Sequence, residues 1–226
     1  MISYTSLFLD LDDTLLDFKK AEAYAVRKVL KNNSLPFDDE AVRTYSKINK
    51  GFWESFERGE IPKTEIFTGR FRSLLEFFGC KGDPAALSKE YGMRLSEGYF
   101  TVDGAFDILN YLRDRGYKLY ATTNGLSTTQ YRRIEGSGLA PYFNRVFVSE
   151  DSGYQKPEKE YFDYIIEHIP EKDRGKILII GDSQSSDILG GKNAGIDTCW
   201  YNPAHLPKKY NSKYEISSLE ELKEIL

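Results

Sequence analysis

The chain has 226 residues, enough for one large domain or for a core with a smaller lobe, and its 40% apolar and 29% charged residues are ordinary for a globular fold. A formal net charge of -4 with no dense Lys/Arg run excludes an electrostatic footprint for nucleic acid polymer or a membrane surface, so an anionic substrate must be met by local charge. Cys80 and Cys199 form no CxxC pair, no apolar stretch reaches the roughly 18 residues of a membrane helix, and the N-terminus carries no secretory pattern; a reduced cytoplasm is the expected compartment.

The first apolar run, residues 7–11, reads as a buried strand that ends in Asp10-Leu11-Asp12-Asp13-Thr14. In a continuing strand, carboxylates at i and i+2 share one face and repel, so the chain must leave extended structure here or neutralise the pair. A hard divalent cation such as Mg²⁺, held by one or two carboxylates and a substrate phosphate, resolves the conflict and points to phosphoryl transfer. The alternative is a polar strand end that caps the next helix, since Asp and Thr are good N-caps.

From residue 17 to residue 99 the pattern is helical almost throughout, with helices expected at 20–32, 38–57, 63–78 and 84–99, punctuated by Pro36, Gly59, Pro62 and Gly82. This is an inserted α-helical cap domain, expected to lie over the strand end and exclude water from a substrate. Its aromatics, Phe52, Trp53, Phe56, Phe67, Phe71, Phe77 and Phe78, mostly read as the lobe's own core, because Phe52 with Phe56 and Phe67 with Phe71 sit at i, i+4 spacing. Phe18 and Trp53 are the candidates for stacking on a flat substrate group.

Residues 1–16 and 100–226 form the expected core. Strands at 118–123, 145–149, 177–180 and 197–200 alternate with helices at 105–115, 127–137, 158–168 and 186–194, and a closing helix covers 218–226. That alternation predicts a Rossmann-like α/β core with a parallel sheet and right-handed crossovers. Polar residues recur at its strand ends. Thr123-Asn124-Gly125 leads into a helix, where a hydroxyl and backbone amides suit phosphate oxygens, though a simple helix cap reads equally well. Lys156 precedes Pro157 and Glu158 at a helix start; isolated lysines are usually solvated, but an ammonium fixed here would neutralise a phosphate and an attacking carboxylate. Gly181-Asp182-Ser183 and Ser186-Asp187 follow the run 177–180, and their carboxylates, meeting Asp10 and Asp12 across the sheet, complete a plausible magnesium site, with capping the alternative for Asp187.

Taken together, Asp10-x-Asp12-x-Thr14, Thr123, Lys156 and Gly181-Asp182-x4-Asp187 resemble, in order and over essentially the whole chain, the four motifs of the haloacid dehalogenase-like hydrolase superfamily. The position of the insertion resembles that superfamily's C1-type cap. The resemblance implies Asp10 as nucleophile forming an aspartyl-phosphate, Asp12 as acid and then base, and Thr123, Asn124 and Lys156 around the phosphate. It further implies Mg²⁺ held by Asp10, Asp182 and the Asp12 carbonyl, with Asp187 and Thr14 in support. A covalent intermediate splits the displacement into two steps that one acid/base can serve. Asp13 departs from the Gly that many members carry. With Asn124-Gly125, the stretch 186–200, and Ile48-Asn49-Lys50 and Trp53 in the cap, it resembles the noncanonical pyrimidine 5'-nucleotidase subfamily. That second likeness implies a nucleoside monophosphate as the small-molecule phosphomonoester.

Three other readings compete. A haloacid dehalogenase needs neither Asp12 nor Asp182, and a phosphosugar mutase shares all four motifs and differs only in turnover. A catalytically silent binding module would tolerate the loss of Asp10. There is no GxSxG elbow, GxxxxGK[ST] loop or HExxH, and His168 and His205 stand alone. Oligomeric state is not legible.

Overall fold

A computed structural model describes residues 4–226, which divide into two compact units, residues 4–17 with Thr101–Leu226, and Phe18–Phe100. In the first unit the strands are β1 (Ser6–Asp10), β2 (Lys118–Thr123), β3 (Arg145–Val148), β4 (Ile177–Gly181), β5 (Asp197–Tyr201) and β6 (Tyr214–Ile216). They form one parallel sheet in the order β3-β2-β1-β4-β5-β6. The central strands β1 and β4 are short and buried throughout because both faces of a parallel sheet are covered. Leu7, Leu9, Leu119, Ala121, Leu178 and Ile180 pack on one face with Ile108, Leu109 and Leu112 of α5 (Ala105–Asp114). Phe8, Tyr120, Phe147, Ile177 and Ile179 pack on the other with Tyr161, Phe162 and Ile165 of α8 (Lys159–Glu167).

Strand order runs outward from β1 in both directions, with β2 and β3 on one side and β4 to β6 on the other, so the switch point lies between β1 and β4. Ligands of open α/β sheets bind in the crevice outside the carboxyl ends of strands at such a point. Leu9 stands opposite Ala121 and Ile180, and Asp10 opposite Thr122, which aligns the three strand ends.

The five expected strands are present, and β6 is a sixth that a three-residue edge pairing leaves without readable periodicity. Between β2 and β3 lies α6 (Ser127–Gly136), and a short α7 (Ser149–Ser152) occupies what reads as a polar turn. The expected helix at 186–194 instead begins as a π-turn, Gln184–Ile188, and becomes α9 (Leu189–Ala194), with Ser183 accepting from Ser186 N at 3.2 Å. Gly190 and Gly191 are packing residues: a Cβ on Gly191 would lie 2.2 Å from Thr198 Cγ2, and one on Gly190 would lie 2.6 Å from the Phe162 ring. The closing element is a 3-10 turn followed by α10 (Leu222–Ile225), started by a Ser218–Glu221 capping box.

The second unit holds α1 (Phe18–Asn32), α2 (Asp39–Glu57), α3 (Lys63–Phe78) and α4 (Pro84–Leu95). Asp38 and Asp83 cap α2 and α4, accepting from Ala41 N at 2.8 Å and Ala85 N at 2.9 Å, and α3 ends on Gly79 at φ 61°. Val26, Val29, Tyr45, Phe71, Leu74, Leu87 and Tyr91 form its core. Of the expected aromatic core, Phe56 and Phe71 are buried, whereas Phe77 is 64% exposed. Adjacent residues of a helix point about 100° apart, so Phe78 packs inward and Phe77 cannot follow it. A buried polar chain that sequence patterning does not reveal also crosses this unit. Glu22 accepts from Ser46 and, at 2.7 Å, from Asn49, whose Oδ1 accepts from Arg70 at 2.8 Å, while Arg70 stacks on Tyr91. Among the described residues no helix is long and apolar enough to cross a membrane.

Candidate active site

At the end of β1 the chain turns at once. Leu15 N and Leu16 N both donate to Leu11 O, at 2.9 and 2.7 Å, and Asp13 adopts φ 58°. The predicted like-charge conflict is thus resolved by leaving extended structure after Asp10. Asp13 occupies the left-handed region, where Gly is easiest and Asp among the most tolerant alternatives, so the departure from Gly keeps the backbone requirement. Thr14 is fully buried and latches this turn to the end of β4: its Oγ1 accepts from Asp182 N at 3.1 Å and donates to Asp182 Oδ1 at 3.4 Å.

Lys156 is buried, not solvated, with 2% side-chain exposure. Its three N–H donors meet three acceptors: Asp10 Oδ1 at 2.6 Å, Asp187 Oδ1 at 2.7 Å and Thr122 O at 3.2 Å. Asn124 explains how the lysine is presented. Its side chain accepts from Lys156 N at 2.9 Å and donates to Lys156 O at 2.8 Å, clamping that backbone from both sides. The Asn124 amide therefore acts on the lysine loop rather than offering itself outward. Asp187 reaches Lys156 across Gly181, where a Cβ would lie 2.2 Å from the Asp187 carboxylate; only glycine leaves that path open. Ser183 N donates to Asp187 Oδ2 at 3.1 Å, and Trp200 Nε1 donates to Asp182 O at 2.8 Å.

Asp10, Asp182 and Asp187 bring carboxylate oxygens within 4.8 Å of one another. The Asp10 carboxyl is pushed up to about 8, first by burial and also by Asp187 and Asp12, with Lys156 opposing them. Asp182 is likewise raised well above the carboxylate range, first by burial and then by Asp10, Asp187 and Asp13. Burial opposes the charge on Lys156, but Asp10 and Asp187 more than reverse it and raise its proton affinity. With all three carboxylates ionised, one ammonium would leave two negative charges uncompensated, which is the conflict that raises the proton affinity of Asp10 and Asp182. A divalent cation restores neutrality, and an all-carboxylate donor set is the kind a hard ion such as Mg²⁺ takes. The residues present therefore fit such an ion.

Thr123 is buried at the end of β2. Its Oγ1 accepts from Gly125 N at 3.1 Å and from Gln130 Nε2 at 2.8 Å. With both lone pairs used, the hydroxyl proton is left to donate, as an anion requires. Asp12 stands apart from the carboxylate triad, its side chain 30% exposed and held by Arg133 and by Gln130 Nε2, the latter at 2.8 Å. Gln130 and Arg133 contact candidate site residues, and sequence reasoning misses both. Their i, i+3 spacing puts them on one face of α6, but a basic residue in the last turn of a helix reads as a solvated partner of the helix dipole. Tyr161 is also missed; its Oη accepts from Thr123 N at 3.2 Å and donates to Phe147 O at 2.7 Å.

Known proteins resemble the chain over nearly its whole length. The family model for haloacid dehalogenase-like hydrolases matches residues 4–195. The chain is 45% identical to the HAD-hydrolase YfnB of Bacillus subtilis, over 100% of this chain and 97% of that protein. It is 41% identical to the pyrimidine 5'-nucleotidase PynA of Streptococcus pneumoniae, covering 99% and 95% of the two chains. It is 34% identical to the pyrimidine 5'-nucleotidase YjjG of Escherichia coli, covering 97% and 96%. The crystal structure of YfnB bound to magnesium superposes with a TM-score of 0.95 over 99% of this chain and 98% of that one. With a family match across most of its length and three relatives above 30% identity over nearly all of it, this chain belongs to the haloacid dehalogenase-like hydrolases.

Proposed function

We propose that the protein is a Mg²⁺-dependent phosphomonoesterase working through an aspartyl-phosphate on Asp10, with pyrimidine nucleoside 5'-monophosphates as its substrates. The observation that carries this reading is the set at the switch point: buried Asp10 paired with buried Lys156, with buried Asp187 and partly buried Asp182 alongside. The relatives named pyrimidine 5'-nucleotidase support the substrate.

In this mechanism a carboxylate oxygen of Asp10 forms a bond to phosphorus as the bond to the ester oxygen breaks, and Asp12 gives its proton to the departing alcohol. Water then loses a proton to Asp12 and attacks phosphorus, releasing inorganic phosphate and restoring Asp10. The two carboxylates differ in the way these tasks need. Asp10 keeps 9% side-chain exposure against 30% for Asp12, so the nucleophile is dry and pre-aimed while the acid/base is within reach of water. The Thr123 hydroxyl donates to a phosphoryl oxygen; the Lys156 ammonium, its three N–H groups held by Asp10, Asp187 and Thr122 O, supplies positive charge beside the phosphoryl group, and Asn124 fixes the loop that presents it. Asp10, Asp182 and the Asp12 carbonyl would hold Mg²⁺, with Asp187 committed to Lys156 and Thr14 securing Asp182. When bound, the ion supplies positive charge against the negative charge that spreads over the phosphoryl oxygens. Cys80 and Cys199 are free thiols, which fits a reducing compartment such as the cytoplasm.

The test is phosphate release from deoxyuridine, thymidine and uridine monophosphates, purine nucleotides, sugar phosphates and phosphoglycolate, with Mg²⁺ and with EDTA. Pyrimidine monophosphates should lead the panel, and without Mg²⁺ turnover should vanish. Asp10→Asn should lower turnover on an aryl phosphate by about 10⁴-fold or more while the protein still folds. Substantial turnover by Asp10→Asn sinks the nucleophile, and a panel led by sugar phosphates sinks the substrate assignment.

A further inference from the structure

The mechanism assigns nothing to Gln130 and Arg133, yet both are buried and both end on the carboxylate of Asp12. Arg133 is fully buried, and taking a guanidinium out of water is expensive unless a partner of opposite charge meets it. The partner is Asp12: Arg133 Nη1 bonds Oδ1 and Gln130 Nε2 bonds Oδ2, so each oxygen is held by a separate donor. The donors are also tied to each other, since Gln130 Oε1 accepts from Arg133 Nη1 at 3.1 Å. That contact sets the amide orientation and directs the Gln130 NH₂ at both Asp12 and Thr123 Oγ1. One amide thus spans the acid/base and the phosphate-facing hydroxyl, and one helix face carries the whole device.

We propose that Gln130 and Arg133 are positioning residues for the acid/base: they fix the plane of the Asp12 carboxylate and register it with the Thr123 hydroxyl, so that proton transfer to the leaving oxygen occurs in the geometry where phosphorus is held. This inference rests on the acid/base reading of Asp12. A freely rotating carboxylate would lose orientation, and misplacement of a catalytic group by about 1 Å costs on the order of 10²-fold.

The experiment uses a pair of phosphate esters that differ in their need for a proton. A nucleoside or alkyl phosphate expels an alkoxide unless protonated, whereas p-nitrophenyl phosphate expels a stabilised phenolate unaided. Under the proposed mechanism kcat/KM covers the steps up to departure of the alcohol, and so reports this proton transfer separately from hydrolysis of the aspartyl-phosphate. Arg133→Met and Gln130→Met should each lower kcat/KM for the alkyl ester by about 10²-fold, the lower end of a general acid's contribution, and for the aryl ester by about threefold or less. Arg133→Lys, which keeps a charge but not the fork, should recover part of the loss and serves if Arg133→Met does not fold. In an Asp12→Asn background neither substitution should lower alkyl-ester turnover further.

Equal losses on both esters in folded variants, or losses that persist in the Asp12→Asn background, would overturn the positioning role. Unchanged Arg133 and Gln130 variants beside a crippled Asp12→Asn would overturn it alone. Full alkyl-ester turnover by Asp12→Asn would overturn the acid/base assignment itself and the inference with it.

Discussion

Replacing Lys156 with Met removes the ammonium at the centre of the site and makes a quantitative test of its electrostatics. The side chains of Asp10 and Asp187 are only 9% and 1% exposed, so water cannot take over the lost charge. Breaking a buried ion pair by deleting one partner costs about 3–5 kcal/mol. For a chain of this length that corresponds to a fall in Tm of roughly 6–20 °C. The loss must also depend on pH. Without the ammonium the folded site is one charge more negative and compensates by binding one proton more than the wild-type site. The unfolded chains, with ordinary carboxylates, differ by none in this range. The folded variant's raised proton affinity therefore stabilises it at low pH, and this contribution is lost as pH rises. The stability gap between variant and wild type should widen by up to about 1.4 kcal/mol per pH unit. The window runs upward from the ordinary carboxylate range, through the region near 8 to which the Asp10 carboxyl is already pushed. Guanidinium unfolding of both proteins in EDTA at pH 5.5 and pH 8 measures it: a small gap at the lower pH and a large one at the higher. The same gap at both would refute the idea that Lys156 serves to balance buried carboxylates.

Mg²⁺ should do for the wild-type site what a proton does for the variant. At about 100 times its dissociation constant it should add about 2.7 kcal/mol, and calorimetry should find a larger increment at pH 8 than at pH 6, because protons compete with the ion for the Asp10 carboxyl, which burial pushes up to about 8. Asp182→Asn should abolish that increment; a full increment in this variant would remove Asp182 from the metal site. Gly191→Ala drives a Cβ to 2.2 Å from Thr198 Cγ2 and 3.1 Å from Ile179 Cδ1, and should cost about 1–3 kcal/mol in denaturant unfolding, whereas a neutral result would mean that α9 can shift on the sheet at no cost. Trp200→Phe should lose about 1–2 kcal/mol by leaving the Asp182 carbonyl without its donor, and should weaken Mg²⁺ stabilisation if that carbonyl's loop sets the carboxylate in place.

The chain's own patterning made the sheet and the inserted helices legible because each depends on short-range regularities: apolar runs of four to six residues for strands buried on both faces, and apolar spacing with Asp, Pro and Gly at helix ends. Departures occur where that regularity is absent. β6 pairs through three residues at an edge, the 184–194 element opens with a π-turn, and Phe77 has the composition of a core residue but sits on the outer side of α3. That Asp10, Lys156 and Asp182 belong to one candidate site was readable because carboxylates and a lysine next to strand ends are chemically conspicuous, and the structure brings them together. Gln130 and Arg133 were not, since a glutamine and an arginine on a helix look like solvated surface until a partner is known.

By itself the sequence determined which residue types stand at the carboxyl ends of the strands, and hence where to look for the proposed phosphoryl-transfer centre, at Asp10 and Asp12. Only the tertiary structure decided how those charges are shared. Strand order set β1 beside β4 and so put Asp10 near Asp182, Gly181 let Asp187 through to Lys156, and α6 turned Arg133 inward to Asp12. The physical reason is that the partner of a buried charge is chosen by proximity in space across 31 to 146 residues of chain, a distance over which local patterning carries no information.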